Sequence, residues 1–261
     1  MQDYISRYYE GYDEDGRLAS KFGQVEFLTT MHYVEKYIRP GMKILEIGAG
    51  TGRYSHTLAR QGYSVTAVEL VQKNIDIMNS KTLPGEDITV LQGNALDLDM
   101  LEDESFDIVL LLGPMYHLYE ERDQKQALGE AFRVTKKGGV LMTAYCISDL
   151  SVLEYGFVKG NIHSLIEKGL LDTETFKTYS TPAEVFQLYR RADIENLMGG
   201  FEFRRLNYVA TDMMTRLIRD TVNRMDDATF ALYMKYHLAV CEREDMTGAT
   251  NHSLDIVKKC L

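Results

Sequence analysis

Long apolar runs, paired cysteines and prolines are scarce in this sequence, and each scarcity excludes a class of protein. The longest apolar run, Ile108 to Leu112, has the length of a buried strand, whereas a membrane span needs roughly 18 such residues. Cys146, Cys241 and Cys260 lie far apart, without the paired spacing of a zinc or redox site, and read as reduced thiols of a cytoplasmic protein. His32, His56, His163, His237 and His252 show no ligand spacing, so no metal is expected. There are only four prolines, no low-complexity stretch and no internal repeat, so no linker between separate domains is visible. Met1-Gln2-Asp3-Tyr4 lacks the basic and then apolar order of a secretory signal, and none is expected. Basic charge is also in deficit, with 29 Lys and Arg against 39 Asp and Glu and a net charge of −10. Such a field repels phosphate backbones, so neither a nucleic acid nor a membrane is the expected partner. Basic pairs such as Lys136-Lys137 and Arg204-Arg205 are too short for a nucleic-acid arm and read as solvated surface.

What remains is an ordinary globular composition, 45% hydrophobic and 26% charged over 261 residues, enough chain to bury a large core. Lys43 to Ile47, Ser64 to Glu69, Ile88 to Gln92, Phe106 to Leu112 and Val140 to Ile147 read as strands. Tyr54 to Gln61, Gln72 to Ser80 and Glu120 to Val134 read as the helices between them, the last closed by Lys136-Lys137-Gly138-Gly139. Such alternation means βαβ units and a doubly wound, mostly parallel α/β sheet. After Ile147 the rhythm changes. Residues 148–180 read as short helices and a loop, and Thr181-Pro182-Ala183-Glu184 as the start of a helix reaching Gly199-Gly200. Glu202 to Val209 is a sixth strand, Asp212 to Arg243 a long helical stretch, and Ser253 to Lys258 a seventh strand. The expected division is a helical cap over 1–39, a core over 40–147, a helical insertion over 148–180 serving as lid or substrate site, and the rest of the core over 181–261 with a second insertion at 212–245.

Four signals fall at successive strand ends. The first runs the strand Ile44-Leu45-Glu46-Ile47 straight into Gly48-Ala49-Gly50-Thr51-Gly52, with a helix behind. Such a turn needs residues without Cβ where the backbone bends sharply and a ligand approaches closely. Its spacing is G-x-G-x-G, not the G-x-G-x-x-G of dinucleotide sites. The second is Glu69, ending its strand 17 residues past Gly52, where a carboxylate accepts both hydroxyls of a ribose; a solvated strand-end acid is the alternative. The third is Gln92-Gly93-Asn94-Ala95, where a polar side chain and a backbone amide can read an adenine edge, or Asn94 can simply serve a turn. The fourth is Leu112-Gly113-Pro114-Met115-Tyr116-His117. Ligands of open α/β sheets bind outside these carboxyl ends.

At these residues the chain resembles the class I S-adenosylmethionine-dependent methyltransferases, firmly over 40–147 and loosely over 182–209. The resemblance implies a seven-stranded sheet with the last strand antiparallel. It implies S-adenosylmethionine as cofactor, S-adenosylhomocysteine as product, and a 40–147 core that binds them. By position Glu46 would orient the glycine loop (Gly48, Ala49, Gly50, Gly52) or the cofactor's amino group, Glu69 and Leu70 would hold the ribose, and Asn94 and Ala95 the adenine. Leu112 and Gly113 would close the site. Asn94 stands where the family more often has Asp. Gly113-Pro114-Met115-Tyr116 is not the Asn/Asp-Pro-Pro-aromatic tetrad of enzymes that methylate DNA bases or protein glutamine, so the expected acceptor is a small molecule.

Methyl transfer needs alignment of a nucleophile in a dry site more than covalent help, although an acidic nucleophile benefits from a base. His117 is the candidate base, with loop packing as its alternative. Tyr116 is a candidate for the acceptor, and so are Tyr8 and Tyr12, which share a helical face with Tyr4, a spacing that more often means ordinary packing. Other readings are a non-catalytic cofactor binder or inactive partner subunit, and a nicotinamide-dependent oxidoreductase, for which no Tyr-x-x-x-Lys pair is present. Aminopropyl transfer would want paired acids at the fourth strand end, and Gly113 to His117 has none.

Overall fold

The computed structural model describes residues 20–184 and 186–260. Helix α1 (Lys21–Tyr37) opens at Ser20, whose hydroxyl accepts the Gly23 N–H. The alternating series follows: β1 (Lys43–Ile47), α2 (Arg53–Arg60), β2 (Ser64–Glu69), α3 (Gln72–Lys81), β3 (Ile88–Gln92), β4 (Phe106–Leu111), α4 (Glu121–Val134) and β5 (Thr135–Ile147). The sheet order is β3-β2-β1-β4-β5-β8-β7, with β7 at Phe203–Ala210 and β8 at His252–Lys259. β1 to β5 are mutually parallel, while β8 runs antiparallel to both β5 and β7. The expected doubly wound, mostly parallel α/β sheet is therefore present. A two-residue strand, β6 (Leu188–Tyr189), adds an eighth by pairing with Cys146 and Ile147.

Alternation along the strands divides the core. Leu45, Ile47, Val109 and Leu111 face α4 and α7 (Arg191–Met198), packing with Leu128, Phe132, Ile194 and Leu197. Ile44, Ile108 and Leu110 face the other way, against Tyr33 and Val34 of α1 and Leu58 of α2. Strands buried on both faces are near-continuously apolar for this reason, which is why they were legible as strands.

Three expectations need correction. Residues 136–139 do not stop a helix; they belong to β5, where register against β4 shifts between Phe106 and Ile108 and Gly138 takes a positive φ of 73°. The run from Thr181 does not carry a helix to Gly199. Only a turn forms at Pro182–Glu184, because the chain is then drawn out into β6, where Gln187 N–H donates to Tyr116 O and Tyr189 Oη to Met115 O. The helix begins afresh at Arg191, after Asp193 accepts the Arg190 N–H. The stretch from Asp212 is likewise divided, into a 3-10 segment (Met213–Ile218), α8 (Arg219–Arg224) and α9 (Asp227–Val240), and α8 and α9 pack on Val25 of α1. The insertion after β5 comprises a short turn α5 (Ser148–Ser151), a π-helical stretch (Val152–Val158) and α6 (Ile162–Glu167). Of the expected cap over 1–39, the described part is 20–39; Tyr4, Tyr8, Tyr9 and Tyr12 lie outside the described residues.

Candidate active site

The carboxyl ends of β1 to β5 open into a cavity of about 1020 Å³, lined on its far side by the insertion after β5 and by the segment after β7. Its first wall is the glycine turn. Gly48, Gly50 and Gly52 have φ of +76°, +55° and +83°, a region that costs L side chains strain. They differ in surroundings. A Cβ on Gly48 would lie 2.5 Å from Pro114, and one on Gly52 2.6 Å from Met78, whereas nothing lies within 4 Å of that position at Gly50. Gly48 thus lets the first and fourth strand ends approach, and Gly50 borders open space. Gly52 is tucked against Met78 and His56 and does not line the cavity.

Two carboxylates fix this turn. Glu69 Oε2 accepts the Gly50 N–H at 2.8 Å, and Oε1 accepts from Val71 N–H at 2.8 Å and Asn74 Nδ2 at 3.3 Å. A carboxylate has about four lone-pair directions, so Glu69 retains capacity for a ligand at the cavity wall. Glu46 is fully buried, and its Oε2 accepts from both the Ser55 N–H and the Ser55 hydroxyl, serving as the cap that Gly52 cannot provide for α2. Burial pushes the Glu46 carboxyl up to about 8, against the two Ser55 hydrogen bonds and with the Glu69 charge adding to the rise.

The cavity brings together Glu46, Gly48, Ala49, Gly50, Glu69, Leu70, Asn94, Ala95, Leu112, Gly113, Tyr116 and His117, all singled out from the sequence. Asn94 Oδ1 accepts the Leu96 N–H at 3.0 Å, the turn role, while its residue still borders the cavity. His117 is buried on the one-turn helix Pro114–His117, with its ring 5.5 Å from that of Phe186. Tyr116 beside it lies 5.8 Å, ring to ring, from His252.

The far half was not legible. Glu154, from the π-helical stretch, pairs with Lys159 at 2.8 Å and Arg216 at 3.3 Å across the roof, and all three border the cavity. Glu26, from α1, and His252, at the start of β8, also border it, and Asp212 stands directly behind His252. No spacing joins residues 26, 154, 216 and 252; the sheet does.

A cradle that a side chain at Gly50 would enter, a buried acid below it and an acceptor-only carboxylate beside it fit the cationic methionine end and the ribose of S-adenosylmethionine. Residues 45–143 match the model of a methyltransferase domain. The demethylmenaquinone methyltransferase of Staphylococcus aureus is 27% identical over 194 residues, 67% of this chain and 79% of that protein. Against three further curated methyltransferases the chain spans only 40%, 61% and 41% of their length. In three dimensions the chain is similar to an S-adenosylmethionine-dependent methyltransferase of Methanosarcina mazei (TM-score 0.59, 18% identity, 88% of this chain and 97% of the other). It is also similar to the magnesium protoporphyrin IX methyltransferase of Synechocystis PCC 6803, solved with S-adenosylhomocysteine (TM-score 0.60, 14% identity, 99% and 97%).

Proposed function

We propose that this chain, whose residues 45–143 match the model of a methyltransferase domain, is an S-adenosylmethionine-dependent enzyme that methylates an oxygen, nitrogen or carbon nucleophile of a small molecule by in-line displacement. The observation that carries this reading is one continuous cavity running from the glycine turn to the roof. At about 1020 Å³ it stands at the top of the roughly 300–1,000 Å³ range of single-ligand sites, so a cofactor and a small acceptor share it. When bound, the cofactor supplies an activated methyl group on a sulfonium. Gly48, Ala49 and Gly50 would shape its cradle, Glu69 and Leu70 would take the ribose, and Asn94 and Ala95 the adenine. Leu112 and Gly113 would form the floor towards the acceptor, with Tyr116 beside it. Residues 148–180 and 212–245 would cover the acceptor and exclude water, which strengthens every polar contact inside.

The residues that roof the cavity and the net charge of −10 favour a small molecule over a nucleic acid. The relatives named above that act on a quinone precursor or a porphyrin support this size class. No helix among the described residues is long and apolar enough to cross a membrane, and a cytoplasmic site of action is the reading we adopt.

Calorimetric titration with S-adenosylhomocysteine tests the cofactor assignment. Wild type should bind in the micromolar range and ignore NADH, and Glu69→Ala should weaken binding at least tenfold. A wild type that binds neither ligand sinks the proposal.

A further inference from the structure

Outside the cofactor end, one buried constellation of titratable groups faces the cavity. β8 runs antiparallel to β5, so its first residue, His252, lies opposite Cys146 at the carboxyl end of β5, at the level of the cavity. Behind it is Asp212, 2% exposed, at the end of β7. Asp212 Oδ1 accepts from Thr250 Oγ1 at 2.7 Å and from the Asn251 and His252 N–H groups at 2.9 Å each. Oδ2 stands 2.8 Å from His252 Nδ1, and Glu26 Oε2 lies 3.6 Å from the same nitrogen. The carboxylate is therefore held rigidly by three donors and keeps the Nδ1 proton in place. Nε2 makes no hydrogen bond among the described residues, and the His252 ring borders the cavity beside Tyr116.

We propose that His252, oriented by Asp212 and Glu26, is the proton acceptor of the methyl-transfer site, and that the methyl acceptor is a phenol-class small molecule with an acidic O–H. The inference rests on the methyltransferase reading and names its substrate class. An acid that fixes one imidazole nitrogen as a donor presents the other as a lone pair, the logic of every carboxylate–histidine base. The acceptor oxygen gives its proton to Nε2 and takes the methyl carbon. The electron pair of the broken carbon–sulfur bond stays on sulfur, and the proton then passes from His252 to water.

Base strength fits this substrate. Burial alone pulls His252 down, but the Glu26 and Asp212 charges, Cys146 and the Asp212 hydrogen bond carry it well above its ordinary value. A phenol ionises near 10, so a strengthened imidazole is better matched to it than an ordinary one. The groups facing this pair are Glu26 on α1, Cys146 on β5, Tyr116 after β4 and His237 on α9, which burial pushes down to about 4 and so keeps neutral. The reactive form is the neutral ring, so the rate should rise with pH as His252 loses its second proton.

Two measurements test this. Nitrogen-15 NMR of the wild-type protein alone should show His252 titrating well above 6.5, its neutral form carrying the proton on Nδ1. Asp212→Asn should move that titration down. Ordinary titration, or a neutral form protonated on Nε2, overturns the proposal without touching the cofactor assignment. Second, catechol, 4-hydroxybenzoate, aniline and histamine are offered as acceptors. A phenol should be methylated, and His252→Ala should lower its kcat about a hundredfold. Imidazole should restore part of that activity, and S-adenosylhomocysteine affinity should change less than twofold. Methylation of amines alone, no methylation of either phenol, or an unimpaired His252→Ala each overturns the proposal. Failure of wild type to bind S-adenosylhomocysteine instead strikes the methyltransferase reading beneath it.

Discussion

Glu46 shows how a single side chain can be legible in kind and illegible in state. An acid inside a strand buried on both faces is visible in the sequence as an anomaly, standing just before the glycine turn. Its protonation is set by what folds around it, since burial carries it from 4.5 to about 8 despite two hydrogen bonds from Ser55. A carboxyl raised on folding stabilises only while protonated. Its contribution is complete below about 4.5 and is lost as pH rises through about 8. We expect the thermal midpoint of the cofactor-free protein to fall as pH rises from 5 to 8. Glu46→Gln should lose that component of the slope and, at pH 8, melt roughly 5 °C above wild type. Equal pH dependence in the two proteins, followed by calorimetry, would show that Glu46 is ionised throughout. The residue-scale features the sequence hid are Glu26, Asp212 and His252, which come from three segments and carry no common spacing.

Elements with a strong local signal stayed as read, and those governed by pairing did not. The core strands were visible because burial on both faces demands apolar runs. Thr181-Pro182-Ala183-Glu184 has the chemistry of a helix start, yet Leu188 and Tyr189 gain backbone partners on β5 and Tyr189 a buried carbonyl partner, which outweighs the helix that would otherwise form. The break before α9 has a local cause that the sequence did carry. Asp226 caps the new helix by accepting the Thr229 N–H at 2.7 Å, and Asp at this position ends one helix to begin another. Asp226→Ala should cost about 1 kcal/mol in urea unfolding and leave S-adenosylhomocysteine affinity unchanged, because no residue of α9 borders the cavity. A loss of affinity in that variant would mean that α8 and α9 transmit their packing to the site.

The sheet becomes whole only when β8 inserts between β5 and β7, and that insertion buries an ion pair. Arg205 of β7 donates from Nε and Nη2 to the two oxygens of Asp255 on β8, at 2.7 and 2.9 Å, while Asp255 is 1% exposed. Removing the arginine strands a buried carboxylate, so Arg205→Ala should cost about 3–5 kcal/mol in urea unfolding. The double change Arg205→Met with Asp255→Leu should recover most of it, because two apolar groups need no partner. A double variant no more stable than the single one would assign the loss to packing instead. At this scale the division between sequence and structure is physical. The sequence by itself determined the layered α/β architecture, the glycine turn and the strand ends gathered around it, because these depend on periodicity, on missing Cβ atoms and on residues close together in the chain. Only the tertiary structure decided the far wall. An antiparallel last strand carries residue 252 to the carboxyl edge of β5, next to residues 26, 146 and 212, and no local pattern records a meeting made across the whole sheet.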